Sequence, residues 1–336
     1  MRTAGAARRF GAGVLAVAAL GLVGLGLSSC GRREAPAERQ TVVFSILSAQ
    51  GQASAEPLWR PLLDDMAKSI GARVDAHFAA DYAALIDGME RGEVQAAWLS
   101  ARPAIDAIDR ADAEVIARTV NRSGQDSYNS VLIVKRGSGV TLDDVMACGK
   151  RLDYGVGDAQ STSATLAPQV FLFNPRGVRP EACFLSVRPD NHERHAREVA
   201  SGILDVAATN TVTLNALAQQ NPTIAGEIEE IWRSPPLPEG GIVVRGDLDP
   251  AVKEKIRGFF LTYGRGDDVE AERQRRVLAG LGYSRFIAAD GDYLDPVREI
   301  AADEALSAAR ASGDRAAAAQ AESDLRTLRA RREVQP

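Results

Sequence analysis

Residues 151–163, Arg-Leu-Asp-Tyr-Gly-Val-Gly-Asp-Ala-Gln-Ser-Thr-Ser, run from a short apolar strand (151–155) through a glycine-containing turn into the start of a helix (162–173). A strand that turns directly into a helix is half of a βα unit. The same rhythm extends outward in both directions. Upstream, strands are expected at 41–47, 73–79, 94–99 and 114–119, separated by helices at 56–70, 83–91 and 101–110. Downstream, strands at 184–187, 203–208 and 229–232 alternate with helices at 193–201 and 214–219. Short apolar runs alternating with helical patterns make this an α/β protein with largely parallel sheets.

Two apolar runs, 130–135 (SVLIVK) and 242–245, bracket a complete βα set, and a proline-rich segment, 234–241, precedes the second. They read as crossing strands that connect an inserted lobe, 134–241, to a first lobe made of 41–133 and 242–297. A ligand would then lie in the cleft between lobes, where small-molecule sites concentrate. Helices at 250–263 and 269–281 complete the first lobe. Residues 298–336 are rich in Ala, Arg, Glu and Asp, with Leu306, Leu325 and Leu328 too sparse for a coiled-coil seam. They read as a solvated, charged helical tail broken at Gly313.

The first thirty residues bear on compartment. Arg2, Arg8 and Arg9 precede an apolar stretch, Val14 to Leu27, closed by Leu27-Ser28-Ser29-Cys30. This pattern looks like a bacterial lipoprotein signal, which places the protein outside the cytoplasm, lipid-anchored at Cys30. Residues 1–29 are then the signal and 30–40 a polar tether. The signal carries three arginines and no acid in a chain of net charge −5, so its removal makes the protein more acidic. With no basic stripe, nucleic acid is not an expected partner. In an oxidising compartment Cys148 and Cys183 are either joined by a disulfide or two separately buried thiols.

The chemistry concentrates in 157–163. The turn presents unpaired backbone N–H groups at the positive end of a helix, which suits a tetrahedral oxyanion. Ser161, Thr162 and Ser163 add three hydroxyls where one would suffice as a cap. The sequence carries no G-x-S-x-G, P-loop or H-E-x-x-H pattern, so the expectation is binding without catalysis, cofactor or metal. His192 and His195 are three apart, but the third histidine, His77, falls in the other lobe. His195 is expected to be a solvated helix residue and His77 a partly buried strand residue. Asp205 is expected to fix backbone, and Thr209 and Asn210 to end a strand near the cleft.

SYNSVLIVKR (127–136), GDAQSTSA (157–164), NHE (191–193), LDVAATN (204–210) and IWRSPPLP (231–238) occur in the order and spacing of the periplasmic phosphonate-binding proteins of ABC importers. AHFAADYAALIDGM (76–89) and VQAAWLSARPAIDAIDRA (94–111) resemble that family's first lobe. The resemblance implies a type II periplasmic binding fold, two α/β lobes joined by two crossing strands. It also implies an ABC permease as partner and a phosphonate-like oxyanion held by Tyr82, Tyr128, Ser161, Thr162, Ser163 and His192. Members that take aminoalkyl phosphonates place carboxylates at positions that align with Val212 and Gly240, although Glu239 is adjacent. An apolar side chain there leaves an ammonium unpaired, which is costly. The expected ligand is therefore small and without an amine, such as methylphosphonate or phosphite. Alternatives are a receptor for another oxyanion, such as phosphate, sulfate or a phosphate ester, and a periplasmic phosphoesterase.

Overall fold

The computed structural model describes residues 41–47 and 52–334. The expected signal, the tether and Cys30 lie outside the described residues. Among the described residues, no helix is long and apolar enough to cross a membrane.

Two mixed sheets flanked by helices organise the chain. The first has the spatial order Tyr283–Ala288, Ala113–Asn121, Gly241–Arg245, Ala96–Leu99, Thr41–Leu47, Arg73–Ala79. Its last three strands are parallel, as the alternation of strand and helix upstream requires, and Gly241–Arg245 runs antiparallel between Ala96–Leu99 and Ala113–Asn121. The second sheet has the order Ile228–Arg233, Ser130–Lys135, Val206–Asn210, Asp153–Val156, Ser186–Pro189. Here too the βα-linked strands are parallel, and the strand that begins the lobe runs antiparallel to its neighbours. A two-stranded ladder, Ser127–Tyr128 against Leu237–Pro238, joins the lobes.

That ladder corrects the expected boundary. Ser130–Lys135 lies wholly in the second sheet, and Gly241–Arg245 wholly in the first, so the crossings fall at 127–128 and 237–238. The reason is visible in burial: Ser130 to Val134 are all buried, the pattern of a central strand covered on both faces. The strand Tyr283–Ala288 was not expected; only Tyr283 and Phe286 are buried, three residues apart, so the run lacks the period-two alternation that marks a strand.

Each sheet carries its own core. Phe44, Trp59, Leu62, Met66, Phe260 and Phe286 pack one face of the first sheet. Tyr154, Phe173 and Phe184 stack within the second lobe, with ring centroids 4.6 to 6.1 Å apart. Cys148 and Cys183 form a disulfide in the second lobe, Cα to Cα 4.2 Å, tying the turn after helix Leu142–Met146 to helix Pro180–Cys183.

The tail differs from expectation. Helices Asp295–Ser312 and Arg315–Val334 form a hairpin around Gly313, which takes the left-handed conformation the break requires. Leu306, Ala321 and Leu325 bury one another. Val297 and Ile300 enter a cluster that holds first-lobe residues together with Leu166 and Ala167 of the second. Sparse leucines suffice because alanines let the helices approach closely, and ion pairs such as Arg332 with Glu299, 2.8 Å, cover the seam.

Candidate functional site

A cavity of about 100 Å³ lies where the two lobes and the crossing ladder meet. Tyr82, Ser100 and Trp98 come from the first lobe, Tyr128, Glu239 and Gly240 from the connection, and Ser161, Ser163, His192, Asn210 and Val212 from the second. Five of the six residues expected to grip an anion line this one space, as do Val212 and Gly240.

The loop 157–163 is built for close approach. A Cβ on Gly157 would fall 2.4 Å from that of Ala164, so only glycine lets the turn fold back on the helix start. Ser161 is the N-cap, its Oγ accepting the Ala164 N–H at 3.1 Å. The helix begins with π-helical segments, Thr162–Leu166 and Gln169–Phe173, rather than the expected α-helix. Wider i→i+5 bonding leaves more first-turn N–H groups without an intrahelical acceptor, a feature that recurs at functional sites.

Thr162 differs from its neighbours. It is fully buried, and its Oγ1 accepts the N–H of Arg102 at 2.8 Å, with Ser100 Oγ 3.4 Å away. The hydroxyl thus bridges the lobes instead of lining the cavity. Asp158 Oδ2 accepts the Tyr82 N–H at 3.4 Å, and Gln160 Nε2 donates to Asp106 Oδ2 at 3.1 Å, so one turn makes three links to the first lobe.

The phenols and the imidazole are all in donor-capable forms that need no formal charge. Burial pushes the Tyr82 hydroxyl up to about 12, and moves Tyr128 further in the same direction. Both therefore keep their protons. Ser100 heads the helix Ala101–Ala111 without capping it; its Oγ instead donates to Tyr82 Oη at 3.1 Å. Asn210 spans the second-lobe side, its Nδ2 lying 3.3 Å from Ser163 Oγ and 3.2 Å from His192 Nε2. His192 Nδ1 is buried and has no partner among the described residues. Burial lowers the imidazole to about 3, so it is neutral before any anion arrives and meets the anion as an uncharged hydrogen-bond donor.

Among the described residues, no Lys or Arg lines the cavity. An anion there is met by hydroxyls, amides and one imidazole, which form charge-assisted hydrogen bonds without an ion pair.

Sequence reasoning missed much of the remaining wall. Trp59, Trp98 and Tyr283 line the cavity, as does Glu239. Gly240 is where it is because Trp98 occupies the side-chain space. Glu239 is 3% exposed, and burial raises its carboxyl to about 7, against hydrogen bonds from Asn121, Gly240 and Thr119 that pull it down. The expectation of a substituent pocket without an acid is thus corrected: the carboxyl is one residue earlier.

Other expectations resolve locally. His195 is fully buried, not solvated, with Nε2 3.2 Å from the Arg188 carbonyl oxygen. His77 is exposed on an edge strand, Nδ1 3.1 Å from Ser45 Oγ. Asp205 fixes backbone, Oδ2 accepting the Asp153 N–H at 2.8 Å.

Comparison with known proteins agrees with this architecture. Residues 44–294 match the family model described as ABC transporter, phosphonate, periplasmic substrate-binding protein. The chain is 37% identical over 265 residues, 79% of its length, to the phosphonates-binding periplasmic protein of Escherichia coli K12, of which 77% is covered. A solved binding-protein component of an ABC phosphonate transporter from Pseudomonas aeruginosa superposes with a TM-score of 0.83 at 33% identity, covering 89% of this chain and 99% of that one. A Prochlorococcus marinus protein solved in complex with methylphosphonate shares the fold, with a TM-score of 0.68 at 20% identity over 77% of this chain and 96% of that one. Its two-lobed α/β architecture is the type II periplasmic binding fold, and the chain belongs to the periplasmic substrate-binding proteins of phosphonate ABC transporters.

Proposed function

We propose that this protein captures a phosphonate by its PO₃ group at the hydroxyl end of the interlobe cavity and delivers it to an ABC permease. The observation that carries the reading is the convergence of Tyr82, Tyr128, Ser161, Ser163 and His192, from both lobes and their connection, on one space. A ligand that bonds to both lobes at once stabilises the closed arrangement, and closure is the signal a permease can recognise. Thr162 contributes by fastening the lobes rather than by touching the ligand. Nothing in this machinery requires bond-making, so the reading is binding, not catalysis.

The substituent on phosphorus is one without N–H donors, as in methylphosphonate, or is absent, as in phosphite. Val212 supports this, since it lines the cavity with an apolar side chain that offers an ammonium N–H no acceptor. The leader 1–29 and Cys30 support attachment to the membrane by lipid, which keeps the protein near its permease.

Calorimetric titration of the purified chain tests the reading. Methylphosphonate is expected to bind more tightly than inorganic phosphate and than 2-aminoethylphosphonate. At a hundred times its dissociation constant it should add about 2.7 kcal/mol of stability. A clear preference for the primary amine would sink the assignment of the substituent. Hydrolysis of a phosphate ester that depends on Ser161 or His192 would sink the assignment as a binding protein.

A further inference from the structure

One aromatic stretch of the cavity wall is left unused by the anion grip. Trp59 and Trp98 have ring centroids 6.3 Å apart, and each lies 6.5 Å from Tyr283. The three rings form one continuous aromatic wall, and all three face the cavity, together with Leu58 and Val212. Glu239 lines the same space, with Asn121 Nδ2 3.4 Å from its Oε1.

This arrangement is electrostatically incomplete by itself. A phosphonate brings up to two negative charges into a cavity that, among the described residues, holds no Lys or Arg. An ionised Glu239 in the lining of the same cavity adds another of the same sign in a low-dielectric setting. Burial already holds that carboxyl near pH 7 before any anion enters. The conflict disappears if the ligand carries a cation on its substituent.

The walls select which cation. A primary ammonium has three N–H donors, each needing an acceptor once desolvated. Here the one carboxyl of the lining shares the cavity with aromatic rings and Val212. A methylated ammonium spreads its charge over carbon surface and has few N–H groups or none, so it needs no such acceptors. Aromatic faces attract it through their quadrupoles, with Trp the strongest of the three ring types.

We propose that this aromatic stretch is a receptor for a quaternary, N-methylated ammonium group, so that among phosphonates without N–H donors the preferred ligand is a trimethylammonioalkylphosphonate. Its phosphonate lies among the hydroxyls, its onium carbons against Trp59, Trp98 and Tyr283, and Glu239 is the counter-charge. This rests on the reading of the hydroxyl end as a phosphonate grip.

The test is a ligand series on the purified full chain at pH 7.5, followed by calorimetry and by quenching of tryptophan fluorescence. The probes are 2-(trimethylammonio)ethylphosphonate, 2-aminoethylphosphonate and methylphosphonate. The trimethylated compound is expected to bind at least tenfold more tightly than either of the others. Glu239→Gln and Trp59→Leu are each expected to shrink its advantage over methylphosphonate at least tenfold. Methylphosphonate or the primary amine binding equally well or better overturns this inference and leaves the phosphonate grip standing. A trimethyl preference that survives both substitutions also overturns it. Binding of none of the three overturns the grip itself. The wild-type series decides the matter even if a variant fails to fold.

Discussion

The indole of Trp98 occupies the space that a side chain at Gly240 would need: a Cβ there would lie 2.3 Å from Cζ2 and 2.6 Å from Cε2, with the Leu99 carbonyl oxygen at 3.0 Å. Position 240 is thus closed to an acid as long as Trp98 stays. Gly240→Asp is expected to displace the indole and to cost about 1–3 kcal/mol of stability, as overpacking does. Chemical denaturation followed by tryptophan fluorescence measures this. A neutral effect would mean that the indole moves freely and does not fix the cavity wall.

Glu239 makes ligand-free stability depend on pH. Its folded value, about 7, lies above the ordinary 4.5, raised chiefly by burial and further by Asp126. The buried carboxyl is therefore tolerated when protonated, and stability is lost as pH climbs from about 4.5 through 7. A displacement of that size corresponds to about 3 kcal/mol. Glu239→Gln does not titrate, so its advantage over wild type should be near zero at pH 4.5 and grow towards pH 8. Melting curves across this range check the trend, and a constant difference would contradict it.

Thr162 joins the lobes through the Arg102 N–H at 2.8 Å. Thr162→Val removes the acceptor and leaves that partly buried donor unmet, a loss of about 1–3 kcal/mol. The expected outcome is weaker ligand affinity, roughly fivefold or more, with faster release. Thr162→Ser should restore it. Stopped-flow displacement gives the release rate, and equal rates for the valine and serine variants would argue against a closing role.

The disulfide between Cys148 and Cys183 closes a segment with a sequence separation of 35 and lines no part of the ligand cavity. Replacing both cysteines by serine should lower stability by about 2–4 kcal/mol while ligand affinity changes little. Urea denaturation of the oxidised chain and the double variant provides the comparison. Equal midpoints would remove the bridge from the stability of this lobe.

The alternation of strands and helices, the capped turn at 157–163 and the hydroxyls of Ser161 and Ser163 were legible in the chain because each depends on neighbours a few residues away. Boundaries were less so. SVLIVK reads equally as a crossing strand or a sheet strand, since burial on both faces leaves no alternation to tell them apart. The role of Thr162 was hidden because its partner, the Arg102 N–H, is 60 residues away and is a backbone group that any residue supplies.

Local sequence by itself therefore determined the fold class, the family resemblance and the polar end of the cavity. Only tertiary structure decided its aromatic wall. Trp59 sits on the helix Gln52–Ile70, Trp98 near the end of a strand and Tyr283 at the start of another. No periodicity relates the three, and side-chain packing between sheet and helices brings them together. The same packing fixed Glu239 as the acid of the cavity, because the Trp98 indole takes the volume at 240 and leaves the preceding residue to turn its carboxyl inward.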